Sequence, residues 1–216
     1  MRIGRGLRRS CFAALATGLL LPVLALGADK DLPYGTFEVA PFAGYQLGGS
    51  FKDLDTGQHY SLDDHASFAL ALDAPADHSS QYELFYDRQS TRLTSSGAAP
   101  IDVKVEYLHI GGTIPLDDNP RARPYLAGGL GVTRFTPESS AGHDDTVFSL
   151  SLALGLRAPL TRNLSFRAEA RGLLSFMNTD SAVFCSSGQS GANCRIAASG
   201  SGQLQLALLA GLAYRF

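Results

Sequence analysis

Alternation of apolar and polar side chains with a period of two recurs about eight times along this chain. The clearest run is TVFSLSLALGLRA, from Thr146 to Ala158. Phe148, Leu150, Leu152, Leu154 and Leu156 fall on one face, and Val147, Ser149, Ser151, Ala153, Gly155 and Arg157 on the other. In NLSFRAEARGLLSF, Leu164, Phe166, Ala168, Ala170, Leu174 and Phe176 oppose Ser165, Arg167, Glu169, Arg171 and Ser175. In QLQLALLAGLAYRF, Leu204, Leu206, Leu208, Leu212, Tyr214 and Phe216 oppose Gln203, Gln205, Gly211 and Arg215. Period two means strands, since successive side chains of a strand point to opposite faces. Five earlier strands are expected near 35–47, 66–74, 80–92, 102–116 and 123–135. The fourth is irregular: Val103, Val105 and Tyr107 have one parity, Leu108, Ile110 and Ile114 the other. A bulge, or a passage from loop to membrane, would explain this, and the face of His109 is left open.

The polar faces carry Glu83, Asp87, Arg157, Arg167, Glu169, Arg171 and Arg215, with Glu38 a further candidate. A soluble barrel with its apolar face inward could not leave so many charges opposite so much leucine. A closed sheet with lipid outside and charges inside accounts for both. The expected fold is therefore an all-β, eight-stranded antiparallel up-and-down transmembrane β-barrel. Connections alternate in length. The short ones are 75–79, 117–122 and 159–162, rich in Pro, Asp and Asn; the long ones are 48–65, 93–101, 136–145 and 177–202. An even strand count puts both termini at the short-turn, periplasmic end and the four longer loops outside. Aromatics near strand ends (Tyr34, Phe37, Tyr82, Tyr86, Tyr125, Phe135, Tyr214, Phe216) are expected to form interfacial girdles.

The N-terminus fits an exported chain. MRIGRGLRRS is basic, CFAALATGLLLPVLAL is apolar, and Ala25-Leu26-Gly27 offers small residues at the −3 and −1 positions. This order makes residues 1–27 a cleaved signal peptide and 28–216 the barrel domain. The apolar run is too short, and too broken by Pro22, for a spanning helix. The net charge of −2 is misleading. Without the four arginines of the first ten residues, 14 basic residues face 20 acidic ones, and binding to nucleic acid is not expected.

Leu212, Tyr214 and the terminal Phe216 alternate on the apolar face, a pattern that resembles the signal read by the barrel-assembly machinery. With GGSFKDLDTGQ, YELFYDRQSTRL, VEYLHIGGT, RPYLAGGLGVTRF and FCSSG…CRIAASGSG, the chain resembles small eight-stranded outer-membrane barrels of Gram-negative bacteria. The barrel domain of outer membrane protein A belongs to that group, as does a set of proteobacterial outer-membrane barrel proteins. The resemblance implies an integral outer-membrane monomer. Its partners would be outer-membrane lipid, lipopolysaccharide and, during biogenesis, the assembly machinery. It implies no cofactor. The expected chain ends at Phe216 without a peptidoglycan-binding domain.

Cys185 and Cys194, with eight residues between them in the last long loop, are expected to form a disulfide in the oxidising export compartment. Closing that loop would contribute about 2–3 kcal/mol on the chain-entropy account. The inward charges are read first as an ion-pair network filling a narrow lumen, and second as the lining of a selective pore. Asp53, Asp55, Asp63 and Asp64, and His143, Asp144 and Asp145, are read as solvated loop acids, because DLDTGQ lacks the later acids of a calcium loop. Lipid A-modifying barrels need a nucleophile and base with an acid. Among His59, His65, His78, His109 and His143 no such set is legible, and Glu106 and His109 have opposite parity. A non-enzymatic role carried by the loops is expected, with a narrow solute channel as the alternative.

Overall fold

A computed structural model describes residues 36–52, 59–77, 79–95, 100–117, 119, 121–138, 144–176, 185–188, 191–194 and 202–216. The expected leader 1–27 lies outside these residues. Eight long strands carry the fold: β1 (Glu38–Leu47), β4 (His65–Pro75), β5 (Gln81–Ser95), β6 (Ile101–Pro115), β7 (Arg123–Pro137), β8 (Asp145–Pro159), β9 (Leu164–Phe176) and β12 (Gly202–Arg215). Each pairs antiparallel with the next, β5 pairs β6, and β1 pairs β12, so the sheet closes on itself. The β1–β12 seam keeps one register throughout but is interrupted at Ala40 and Pro41. At its end the Phe216 N–H donates to the Phe37 carbonyl at 3.0 Å.

Two of the expected loops contain further strands. Within 48–65, β2 (Ser50–Lys52) pairs β3 (His59–Leu62), and β3 pairs the far end of β5 beyond the point where β4 stops. The hairpin thus prolongs the barrel wall past Asp63 and Asp64. Within 177–202, β10 (Cys185–Gly188) pairs β11 (Gly191–Cys194), with Cys185 directly opposite Cys194. The expected loops 93–101 and 136–145 are shorter than read, because β5 to β8 run farther outward.

Side-chain direction follows the pleat. Phe68, Leu70, Leu72, Leu84, Leu108, Ile110, Leu130, Leu152, Leu154, Leu208, Leu212 and Tyr214 are exposed on the outer surface. So large an apolar surface on a closed barrel is stable facing lipid. Phe37, Tyr82, Tyr214 and Phe216 flank it at the short-turn end. Tyr214 and Phe216 meet edge to face at 5.2 Å, and Phe148 stacks on Phe176 at 5.8 Å nearer the loop end.

Two girdle assignments are overturned. Tyr125 and Phe135 lie inside the barrel, 5% and 4% exposed, because the odd positions of β7 point inward along with Arg123 and Ala127. The irregularity of β6 also has its explanation. There is no bulge: β6 keeps continuous register with β5 and β7, and its odd residues face inward throughout. What changes is the chemistry of the two faces. Toward the short turns the apolar residues face out (Leu108, Ile110, Ile114); toward the loops they face in (Val103, Val105), and Asp102, Lys104 and Glu106 face out. Crossing a bilayer takes ~9–11 tilted residues. A strand of 15 residues therefore projects beyond the lipid, and there it must follow soluble-protein rules.

Candidate functional site: the charged lumen

Arginines on three neighbouring strands meet acids from across the barrel. Arg167 and Arg171 on β9 are fully buried, with Glu169 between them on the same face. Arg167 Nη2 lies 2.8 Å from Glu169 Oε1 and 3.3 Å from Glu83 Oε2, and Nη1 reaches Glu38 Oε1 at 3.1 Å and also Asp73. Arg171 Nη2 donates to Glu83 Oε1 at 2.8 Å and to Glu169 Oε2 at 2.9 Å. Arg157 on β8 and Arg215 on β12 both reach Glu38, at 2.7 and 3.1 Å. Four arginines thus meet four carboxylates, the arrangement that buried charge requires. Arginine suits it, since one planar fork serves several acids at once.

Aromatic rings insulate the cluster. The Tyr125 hydroxyl donates to Glu169 Oε1 at 2.5 Å and accepts from Arg167 Nε at 3.1 Å. Arg171 stacks over Phe85 at 3.7 Å, and Arg167 lies 5.3 Å from the centre of the Phe42 ring. Gly155, opposite Tyr125 in the β7–β8 register, makes room for this ring: a Cβ there would come within 2.1 Å of Tyr125 Cζ. A larger residue would displace the phenol from Glu169.

The expected lumenal set is therefore brought together except for Asp87. Its carboxylate is buried, yet neither oxygen has a hydrogen-bond partner among the described residues. Asp87 sits four residues beyond Glu83 on β5, opposite Tyr107, outside the span of the arginine forks. Asp73 takes the role expected of it. The signal for Asp73 was present in FALALD: Phe68, Leu70 and Leu72 face lipid, so Ala69, Ala71 and Asp73 face inward. Arg123 also faces inward at this end.

Farther along, the lumen turns neutral. Gln46 Nε2 donates to Gln205 Oε1 and Gln205 Nε2 to Gln89 Oε1, both at 3.3 Å, and the Tyr107 hydroxyl donates to Gln205. His109 faces the lumen, its Nε2 2.8 Å from Ser149 Oγ, while its Nδ1 has no partner among the described residues. Among the described residues no acid holds that ring, and Glu106 is outside, bonded by the Tyr86 hydroxyl at 2.7 Å. Beyond this layer Leu62, Leu93, Val103, Val105, Phe135 and Val147 pack together inside the loop end.

Of the loop acids, Asp64 accepts from the Gly48 N–H at 2.6 Å, Asp63 from Thr94, and Asp144 pairs with Arg134. Asp145 begins β8. Asp53, Asp55, His78 and His143 lie outside the described residues. Leu212, Tyr214 and Phe216 share the outer face of β12.

A closed eight-stranded barrel with an apolar belt and a filled, ion-paired lumen defines a small integral membrane barrel. The chain belongs to the family described as outer membrane protein beta-barrel domain, whose sequence profile matches residues 12–216; this implies a bacterial outer-membrane location. Among solved structures, the fold is similar to Neisserial surface protein A (TM-score 0.56, 17% identity, 83% of this chain and 97% of that one). It is similar also to outer membrane protein OprG from Pseudomonas aeruginosa (TM-score 0.56, 14% identity, 85% of this chain and 97% of that one). Comparison with curated protein sequences finds no match.

Proposed function

We propose that the protein is a non-enzymatic, non-conducting barrel monomer that acts through its loop end, in surface interaction or envelope structure. The observation carrying this reading is the occupied lumen: Arg167 and Arg171 with their acids fill one end, and Val103, Val105 and Phe135 fill the other. An eight-stranded lumen holds little beyond its own side chains. Function then belongs to the projecting segments, as it commonly does on rigid scaffolds.

Removal of residues 1–27, periplasmic termini and outward-facing long loops are part of the same reading, supported by the strand count and the sequence of the leader. Recognition of Leu212, Tyr214 and Phe216 by the assembly machinery belongs to it too. So does a Cys185–Cys194 disulfide, supported by their direct cross-strand pairing. The test is conductance in planar bilayers. The purified barrel should give no stepwise openings. Openings in the unaltered protein would establish the narrow solute channel instead.

A further inference from the structure

The two hairpins inserted at the loop end are held in different ways. The β2–β3 hairpin is tied to the barrel: β3 pairs β5, with Tyr60 opposite Ser95 and Leu62 opposite Leu93, and Leu62 is buried in the core of the projecting wall. The β10–β11 hairpin pairs with nothing but itself among the described residues. Its pairing runs from Gly188 opposite Gly191 to Cys185 opposite Cys194.

Nothing in the sequence of this second hairpin would keep it paired unaided. CSSGQSGANC contains no branched aliphatic or aromatic residue, the types that stabilise strands through cross-strand contact. Gly188 and Gly191 add the large entropy that glycine loses on ordering. An isolated two-stranded hairpin is marginal at best in water. A covalent closure between positions 185 and 194 changes that balance. Cα atoms directly opposite in an antiparallel pair are ~4.5–5.5 Å apart, a separation that a disulfide spans. Closing so small a ring favours the ordered form over the open one about 100-fold on the chain-entropy account. The dependence runs both ways. A structural disulfide resists thiols because the reduced fold still holds its two sulfurs together. Here the reduced segment has no fold of its own, so the bridge lacks that protection.

We infer that the β10–β11 hairpin is a thiol–disulfide switch: a Cys185–Cys194 bridge holds it paired, and exchange with small thiols releases it as an open loop. The inference rests on the proposed bridge. The chemistry is two successive exchanges. A thiolate attacks one sulfur of the bridge and expels the other as a thiolate. A second thiolate attacks the mixed disulfide so formed. Two small thiols are oxidised to one disulfide, and Cys185 and Cys194 take up their two protons. The full chain in nanodiscs is first alkylated without reduction and mapped by mass spectrometry. Cys185 and Cys194 should both be unmodified; alkylation of both would overturn the bridge and the switch together. Pulsed hydrogen exchange is then compared in oxidised and in reduced glutathione. Reduction should open the bridge and speed exchange of the 186–193 amides about 10- to 100-fold. Peptides from β9 and β12 should be unchanged, and Cys185→Ser with Cys194→Ser should match the reduced form. A bridge that survives reduced glutathione, or unchanged exchange once it is open, would overturn the switch and leave the disulfide a plain staple. Loss of protection in β9 and β12 as well would also overturn it, since the bridge would then be holding the wall.

Discussion

The two ends of this barrel obey opposite rules. Near the short turns the outside is leucine and the inside is charge: Leu154, Leu156 and Leu212 face lipid while Arg167, Glu169 and Glu83 face one another. Near the loops the inside is Val103, Val105, Phe135 and Leu93, and the outside is Arg88, Arg92, Asp102 and Lys104. The same strands run through both regions without a break in register. A β-strand does not dictate which face is polar; the solvent on each side does. Where lipid surrounds the wall, polar groups have only the lumen to occupy. Where water surrounds it, the lumen becomes an ordinary hydrophobic core.

Three changes probe this contrast. The largest effect belongs to Glu169→Ala. It leaves the four lumenal arginines one carboxylate short, with Glu83 the last acid beside Arg171, and should cost about 3–5 kcal/mol in urea unfolding from detergent or lipid. Asp102→Ala, removing the exposed partner of Arg92 at the other end, should cost about 0–1 kcal/mol. If the two losses are equal, the lumen is wet and the ends are not as different as they look. Second, Leu93→Ala should cost about 2–3 kcal/mol by opening a cavity in the projecting core. Hydrogen exchange should show faster opening of β5 and β6 near the loops, with the amides around Glu83 still protected. Uniform loss of protection would make the barrel one cooperative unit.

The smallest effect lies in the β4–β5 turn, outside the membrane. The Asp77 carboxylate accepts from the Ser79 and Ser80 backbone N–H groups at 2.9 and 2.7 Å, and these bonds hold its pKa down to about 2, from an ordinary 3.8. A depressed folded-state pKa stabilises above the unfolded value and is lost as pH falls through the folded one. Asp77→Asn should therefore lower the unfolding midpoint slightly near neutral pH. The difference from the unaltered protein should fade between about pH 4 and pH 2. A difference that persists at pH 2 would show that the turn gains nothing from the charge.

Parity alone was enough to place Arg157, Arg167, Glu169, Arg171 and Arg215 in one lumen, because lipid punishes any charge on the other face. The same rule would have found Asp73, had the alanines between Phe68, Leu70 and Leu72 been read as an inward row. Tyr125 and Phe135 were misplaced for a physical reason. An interfacial girdle needs the aromatic on the lipid face as well as near a strand end, and Tyr125 and Phe135 share the inward parity of Arg123 on β7, where Glu169 meets the Tyr125 hydroxyl and the core around Val105 takes Phe135. The inversion along β6 was visible as mixed alternation, but a sequence does not mark where the bilayer stops. The β2–β3 extension was hidden because three- and four-residue strands carry too few positions for a period to register.

The interrupted seam between β1 and β12 bears on how such a chain reaches its final form. β1 and β12 are the first and last strands among the described residues, so β1 has an open border until that seam closes. Pro41 sits in the middle of that border and offers no N–H. It costs the finished seam a rung, since pairing with β12 lapses at Ala40 and Pro41. In the waiting chain the same gap makes β1 a poor template for a stranger's strand, as proline does on exposed sheet edges generally. Only a partner holding register on both sides of the gap, as β12 does through Tyr214 and Arg215 beyond it and Leu206 to Gly211 before it, completes the ring.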